Sequence, residues 1–183
     1  MEKKTITLEK TEWFEMPRLR RLYRTAFPRC ERKPFAMIRR MCKAGRAEVL
    51  SIREAGSFCG LVIAVQHRDL VLIDYLAIAP NRRGGGLGSA ALRLIAQRYA
   101  GRRVFLEIER PDPTAQNNAE RQRRKRFYLQ NGLCEDGVTV RLFGVEMELL
   151  CFTQTITFAE YFDLYRNMVG AALANKNVIL LEK

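Results

Sequence analysis

From Pro80 to Leu92 the chain reads Pro-Asn-Arg-Arg-Gly-Gly-Gly-Leu-Gly-Ser-Ala-Ala-Leu. A proline closes one element, two arginines follow, four glycines fill five positions, and an apolar helix opens. Glycine reaches positive φ without a Cβ penalty and lets a ligand approach the main chain, so successive N–H groups can converge on one anion. A helix predicted over 88–99 adds its unpaired first-turn N–H groups and the positive end of its dipole to the same place. The run therefore predicts a strand, a phosphate-binding turn and a helix in that order, with a diphosphate as the expected guest.

Three glycine-rich patterns compete for that turn. A nucleoside-triphosphate loop needs lysine after its last glycine, and none follows here. A dinucleotide fingerprint is satisfied by Gly86-x-Gly88-x-x-Ala91, with Glu107 about twenty residues onward as the ribose acid. In that fold, however, the first glycine leaves the strand directly, whereas Pro80-Asn81-Arg82-Arg83 intervenes here. The third pattern, [Q/R]-x-x-G-x-[G/A], is met by Arg83-Gly84-Gly85-Gly86-Leu87-Gly88, with Leu76-Ala77-Ile78-Ala79-Pro80 before it. Downstream, Phe105-Leu106-Glu107-Ile108 and Arg126-Phe127-Tyr128-Leu129-Gln130-Asn131-Gly132-Leu133 complete the set.

Those segments resemble the GNAT acyltransferase superfamily: its coenzyme A pyrophosphate loop, its fifth strand and its F-Y-x-x-x-G-F helix end. The resemblance runs over 5–152 in order of elements and is specific over 74–133. It implies a mixed α+β fold, with a mostly antiparallel central sheet, splayed fourth and fifth strands, helices on both faces, and an extra C-terminal helix and strand. It implies acetyl-CoA as co-substrate, without a metal, and direct transfer of the acetyl group to a primary amine in a ternary complex. Leu76, Ala77 and Ile78 would hold the pantetheine arm, and Arg83, Gly84, Gly85, Gly86, Leu87, Gly88 and Ser89 the diphosphate. Tyr128 stands where the family has its general acid. Glu107 matches the basic glutamate of the L-E-V segment in ribosomal-protein N-terminal acetyltransferases, with Glu109 and Asp74 as alternative bases. The chain departs from that pattern by a longer segment before Tyr128, Arg110-Pro111-Asp112-Pro113 included, and by lacking the usual asparagine.

The run Arg121-Gln122-Arg123-Arg124-Lys125-Arg126 reads as helix. Arg121, Arg124 and Lys125 then share the face of Tyr128 and can meet coenzyme phosphates, Arg124 above all, while Arg123 and Arg126 turn to solvent. A net charge of +12 attracts anions of any kind. It supports the alternative of a catalytically silent GNAT-fold module binding nucleic acid or another polyanion, although no zinc pattern or aromatic ribonucleoprotein signature is present.

With 183 residues the chain is expected to form one domain, 1–183, with 153–183 as a C-terminal addition. Met1-Glu2-Lys3-Lys4 leads into a strand without an apolar signal segment, and no run approaches the ~20 apolar residues of a membrane span, so a cytoplasmic protein is expected. The scattered Cys30, Cys42, Cys59, Cys134 and Cys151 read as reduced, mostly packed thiols, and the single His67 as a solvated strand end. Strands are predicted over 6–8, 48–53, 59–66, 70–78, 103–109, 138–143, 146–152 and 178–181. Helices are predicted from Trp13 to Phe27 and over 34–44, 88–99 and 119–130. Phe158, Tyr161, Phe162, Tyr165, Met168 and Val169 form a helical stripe that either packs on the sheet, lines the acceptor pocket or makes a homodimer contact. The acceptor is expected to be a small-molecule or peptide amine.

Overall fold

The computed structural model describes residues 5–29 and 31–181 and the backbone of Glu182. Residues 1–4 and Cys30, which entered the sequence reading, lie outside the described residues, as does Lys183. The chain forms two compact units: 5–65 with 73–100, and 66–72 with 101–182.

In the first unit, β1 (Ile6–Lys10), β2 (Ala47–Glu54), β3 (Ser57–His67) and β4 (Leu70–Ile78) are hydrogen-bonded in that order. Helices α1 (Met16–Ala26), α2 (Phe35–Lys43) and α3 (Leu87–Arg98) belong to the same unit. Pro17 falls in the first turn of α1, where a missing N–H breaks no hydrogen bond. The buried face of that helix is Leu19, Leu22 and Tyr23, the three-to-four spacing read in the sequence. Ile38 and Met41 of α2, Leu50 and Ile52 of β2, Leu61 and Ile63 of β3, and Ala91, Leu92 and Ile95 of α3 are also buried. β2 turns into β3 through Ala55 and Gly56, both at positive φ (47° and 75°), as a tight hairpin requires.

The second unit takes the start of β4 and adds β5 (Arg103–Glu109), α4 (Asn118–Gln130), β6 (Cys134–Leu142), β7 (Val145–Cys151), α5 (Phe158–Val169), α6 (Ala171–Asn177) and β8 (Val178–Glu182). Its strand order is β4-β5-β7-β6-β8. The β4/β5 ladder is parallel and covers only Leu70–Leu72 against Arg103–Phe105, whereas β5/β7, β6/β7 and β6/β8 are antiparallel. A mixed, mostly antiparallel sheet with splayed fourth and fifth strands is the expected architecture. Strands 70–78 and 103–109 have the bounds read from the sequence. β6 begins four residues earlier than expected, because a register shift between Glu135 and Thr139, with Gly137 at φ 83°, hides its first half from an alternation test. The short α6 was not anticipated; Gly170, at φ 91°, separates it from α5.

The C-terminal stripe is core: Tyr161, Leu164, Tyr165 and Met168 are buried, and the Tyr161 ring lies 6.3 Å from that of Phe105. His67 is not solvated; its Nε2 lies 2.8 Å from Asp163 Oδ2 on α5, and Asp163 also holds Arg68 and Arg166. Among the described residues no helix is long and apolar enough to cross a membrane.

The N-terminus of α5 is fixed by a reciprocal cap in which Thr157 Oγ1 accepts from the Glu160 N–H and the Glu160 carboxylate accepts from the Thr157 N–H. The same carboxylate accepts from Arg103 Nη2 at 2.5 Å, and Arg103 also holds Asp69. That guanidinium, followed by the Thr157 N–H, pulls the Glu160 carboxyl from 4.5 down to about 2. A carboxyl depressed on folding stabilises the fold above its unfolded pKa and loses that contribution as pH falls through the folded one. Glu160→Gln is therefore expected to lower the urea midpoint at pH 7, with the gap from wild type closing as pH drops from 4.5 towards 2. Equal midpoints at pH 7 would show that the Glu160 charge, and with it the Arg103 ion pair, contributes nothing.

Candidate functional site

β4 ends in Leu76, Ala77 and Ile78, and a single 3-10 turn at Pro80–Arg82 follows. Arg83 is extended, Gly84 sits at φ 85°, and Gly86 caps α3 in the left-handed conformation at φ 75°, ψ 4°. A Cβ added at Gly84, Gly85 or Gly86 would meet nothing within 4 Å. Handedness at Gly84 and Gly86, not lack of room, is what demands glycine there. α3 starts at Leu87, one residue before the expected start, and the buried Leu87 anchors that end. The first-turn N–H groups of Leu87, Gly88 and Ser89 have no acceptor within the helix and stand beside an exposed loop, at the positive end of the dipole. Backbone N–H groups so arranged can receive an anion, and the open glycines leave room for one.

The two arginines before the glycines have different fates. Arg82 is held by Glu54 at 2.5 Å, whereas Arg83 is exposed and its Nε donates to the Ile78 carbonyl at 3.2 Å. Arg83 thus keeps its cation at the mouth of the loop. On the strand side, a Cβ at Gly60 would lie 2.5 Å from the Ala77 carbonyl oxygen and 3.1 Å from the Ile52 and Ile78 side chains. Gly60 lets β4 run close to β3 at the segment that precedes the turn. It was missed in the sequence, although a glycine inside a strand signals close backbone approach.

Asp74, weighed above as a base, is committed elsewhere: its side chain is 4% exposed and Oδ1 accepts from Lys33 Nζ at 2.6 Å. Its neighbour Tyr75 donates to the Glu31 carbonyl at 2.8 Å and accepts the Lys33 N–H at 3.0 Å. Tyr23 donates to the Lys33 carbonyl at 3.0 Å, and burial raises its phenol pKa. The rings of Tyr23 and Phe27 stand edge-on to Tyr75, centroids 4.8 and 4.9 Å away. Two tyrosines therefore fix the backbone of the α1–α2 connection over Glu31 and Lys33.

In the second unit Glu107 is half-buried on β5, opposite Leu149. The Tyr165 hydroxyl of α5 donates across both of its oxygens, at 2.8 and 2.9 Å. Glu109, two residues on, is bound by Arg121 Nε at 3.0 Å and Asn117 Nδ2 at 3.2 Å. Tyr128 packs its ring 5.3 Å from Phe127 on α4, and burial raises its phenol pKa against the opposing effect of Arg124. Of the cations expected on that face, Arg121 is tied to Glu109 and the Arg110 carbonyl, and Lys125 to Glu135 and Glu148. Arg124 is exposed, 3.4 Å from Glu120, and Arg123 and Arg126 face solvent as expected.

Solved structures share this fold at low identity. A protein of Bacteroides thetaiotaomicron assigned to the GNAT family superposes with a TM-score of 0.75 at 17% identity, over 90% of this chain and 99% of that one. The ribosomal-protein-S18-alanine N-acetyltransferase from Escherichia coli gives 0.58 at 17% identity, over 84% and 96%. An aminoglycoside 6'-N-acetyltransferase complexed with coenzyme A gives 0.63 at 13% identity, over 82% and 99%. No curated protein sequence matches significantly. The sequence profile of the acetyltransferase (GNAT) family matches residues 16–123, which takes in the glycine loop and Glu107 and stops before Tyr128. Since that match spans more than half of the chain, the protein belongs to the GNAT family of acetyltransferases.

Proposed function

We propose that this acetyltransferase moves the acetyl group of acetyl-CoA to a primary amine by direct transfer in a ternary complex. The observation that carries the reading is the left-handed glycine turn opening α3, a cradle for the paired phosphates of coenzyme A. Among the described residues the parallel ladder of β4 ends at Leu72, so pairing with β5 does not consume the strand edge at Leu76, Ala77 and Ile78. An extended pantetheine arm can hydrogen-bond there, and a backbone N–H of that edge would stabilise the thioester oxyanion by a few kcal/mol. Amine acceptors have precedent in the fold: two of the neighbours are named for acetylating a ribosomal-protein alanine and an aminoglycoside 6'-nitrogen.

The amine must lose a proton before it attacks. An alkylammonium of pKa ~10.4 holds its proton at neutral pH, at a cost of about 4–5 kcal/mol to remove it. We assign Glu107 as the base that takes it. Its strand position matches the family segment, and the Tyr165 hydroxyl donates across both of its oxygens. Tyr128 is assigned as the acid that protonates the departing thiolate; a phenol raised by burial keeps its proton through neutral pH. Arg83 and the N–H groups at Gly84, Gly85, Gly86, Leu87, Gly88 and Ser89 bind the diphosphate in this scheme. Arg124 is the remaining α4 cation assigned to the coenzyme's phosphates.

Calorimetry with acetyl-CoA, followed by thiol release across an amine library, tests the reading; absence of coenzyme binding would remove it. Gly86→Val is expected to weaken coenzyme binding about tenfold or more, since a left-handed residue with a Cβ costs about 1–2 kcal/mol. Gly85→Ala, at a position without positive φ, should lose less. Equal affinities for wild type and Gly86→Val would refute the cradle. Tyr128→Phe should lower kcat roughly 10²- to 10⁴-fold with coenzyme affinity unchanged, and an unaltered kcat would take Tyr128 out of the mechanism.

A further inference from the structure

The first unit contains a cavity of about 340 Å³ between α1, α2 and their connection, and its lining is cationic. Arg20, Arg24, Arg29, Arg32 and Lys33 all contribute, with Tyr23 among the aromatic walls. Lys33 is balanced by Asp74, and Arg20 lies over the Phe35 ring, 5.0 Å from its centroid. Among the described residues, Arg24, Arg29 and Arg32 have no carboxylate partner. Arg32 Nε is buried without a hydrogen-bond partner. Three unneutralised guanidinium groups around one small cavity repel one another, and an unpaired buried N–H is costly. The backbone at Glu31 and Lys33 is held by the hydroxyls of Tyr23 and Tyr75, which anchors the chain on both sides of Arg32.

We propose that this cavity is a recognition pocket for the acceptor, and that the acceptor is a small amine carrying two or more negative charges as carboxylate or phosphate. Guanidinium groups match both oxyanions with paired N–H donors, and aromatic walls suit the apolar part of such a molecule. The volume is at the small end of ligand cavities, the size of a metabolite. Nucleic acid would instead require cations spread along an open surface. Lys33 and Tyr75 join the pocket to β4 at Asp74 and Tyr75, and β4 continues directly into Leu76. At about 3.3 Å per residue, Asp74 stands roughly 7–13 Å along β4 from the strand segment assigned to the thioester. The acceptor role rests on the acetyl transfer proposed above; the anion site itself does not.

Calorimetry without coenzyme separates the two. Inorganic phosphate and succinate are titrated into wild type, Gly86→Val, Arg32→Gln and the double variant Arg24→Gln/Arg29→Gln, whose two side chains are exposed and leave the core untouched. Expected are binding to wild type and to Gly86→Val, and at least a tenfold loss in the arginine variants with coenzyme A affinity retained. Phosphate bound alone identifies a phosphorylated acceptor, and succinate alone a dicarboxylic one. Binding to wild type of neither probe, or equal binding to the arginine variants, overturns the site. Thiol release is then compared for phosphoethanolamine against ethanolamine and for aspartate against its diamide, with kcat/KM at least 100-fold higher for the anionic member of one pair and that preference lost in the arginine variants. Anion binding without any such preference overturns the acceptor assignment, while absence of thiol release from every amine points to failure of the transfer reading.

Discussion

The left-handed backbone at Gly86 is the constraint on which the turn between β4 and α3 depends. At φ 75° it reverses a chain that was extended at Arg83 and delivers Leu87, the next residue, into the core as the first residue of α3. The loop cannot relax independently of the helix, because Leu87, Ala90, Ala91, Leu92 and Ile95 pin α3 by burial. Gly60 acts on the strand side of the same turn by the opposite means. It supplies absence of volume where the Ala77 carbonyl approaches, whereas Gly86 supplies a handedness with open space around it. Two glycines with unlike physical roles thus set the path of the chain before and through the turn.

Charge matters here by its distribution rather than its sum. The excess of +12 includes many cations that are structural: Arg53 on Glu15, Arg82 on Glu54, Arg98 on Glu48, Arg103 on Asp69 and Glu160, Arg121 on Glu109 and Lys125 on Glu135 and Glu148. Outside these pairs stand, among others, Arg83 at the glycine loop and Arg24, Arg29 and Arg32 at the α1–α2 cavity. A positive surface field draws any anion in, but only cations without internal partners can hold one.

Local signals were legible and long-range pairings were not. The strand over Leu70–Ile78 and the one over Arg103–Glu109 were bounded correctly because apolar runs there are flanked by turn residues. The glycine turn was legible because its chemistry is written in consecutive residues. Asp74 and Glu109 looked interchangeable with Glu107 because alternation reveals which face a residue takes and nothing of its partner. Lys33 reaches Asp74 across 41 positions, and Tyr165 reaches Glu107 across 58, so neither pair leaves a local trace. Which cations of the α1–α2 cavity stay unpaired was hidden for the same reason: they come from a helix and a connection whose mutual placement is set by two tyrosine hydroxyls.

The C-terminal helix shows why packing and positioning need not be rival explanations. One helical stripe buries Tyr161 and Tyr165 together, and their rings lie 4.9 Å apart. Tyr161 stands against Phe105 on β5, so the same contact that excludes water from the sheet fixes the height and rotation of α5. One turn further along, that fixed rotation is what aims the Tyr165 hydroxyl at both oxygens of Glu107, two residues beyond Phe105 on the strand. The cap at Thr157 and the Arg103–Glu160 pair lock the helix start to the beginning of that strand. A rigid aromatic core is thus also the means by which a side chain 58 positions away in sequence holds a carboxylate in one orientation.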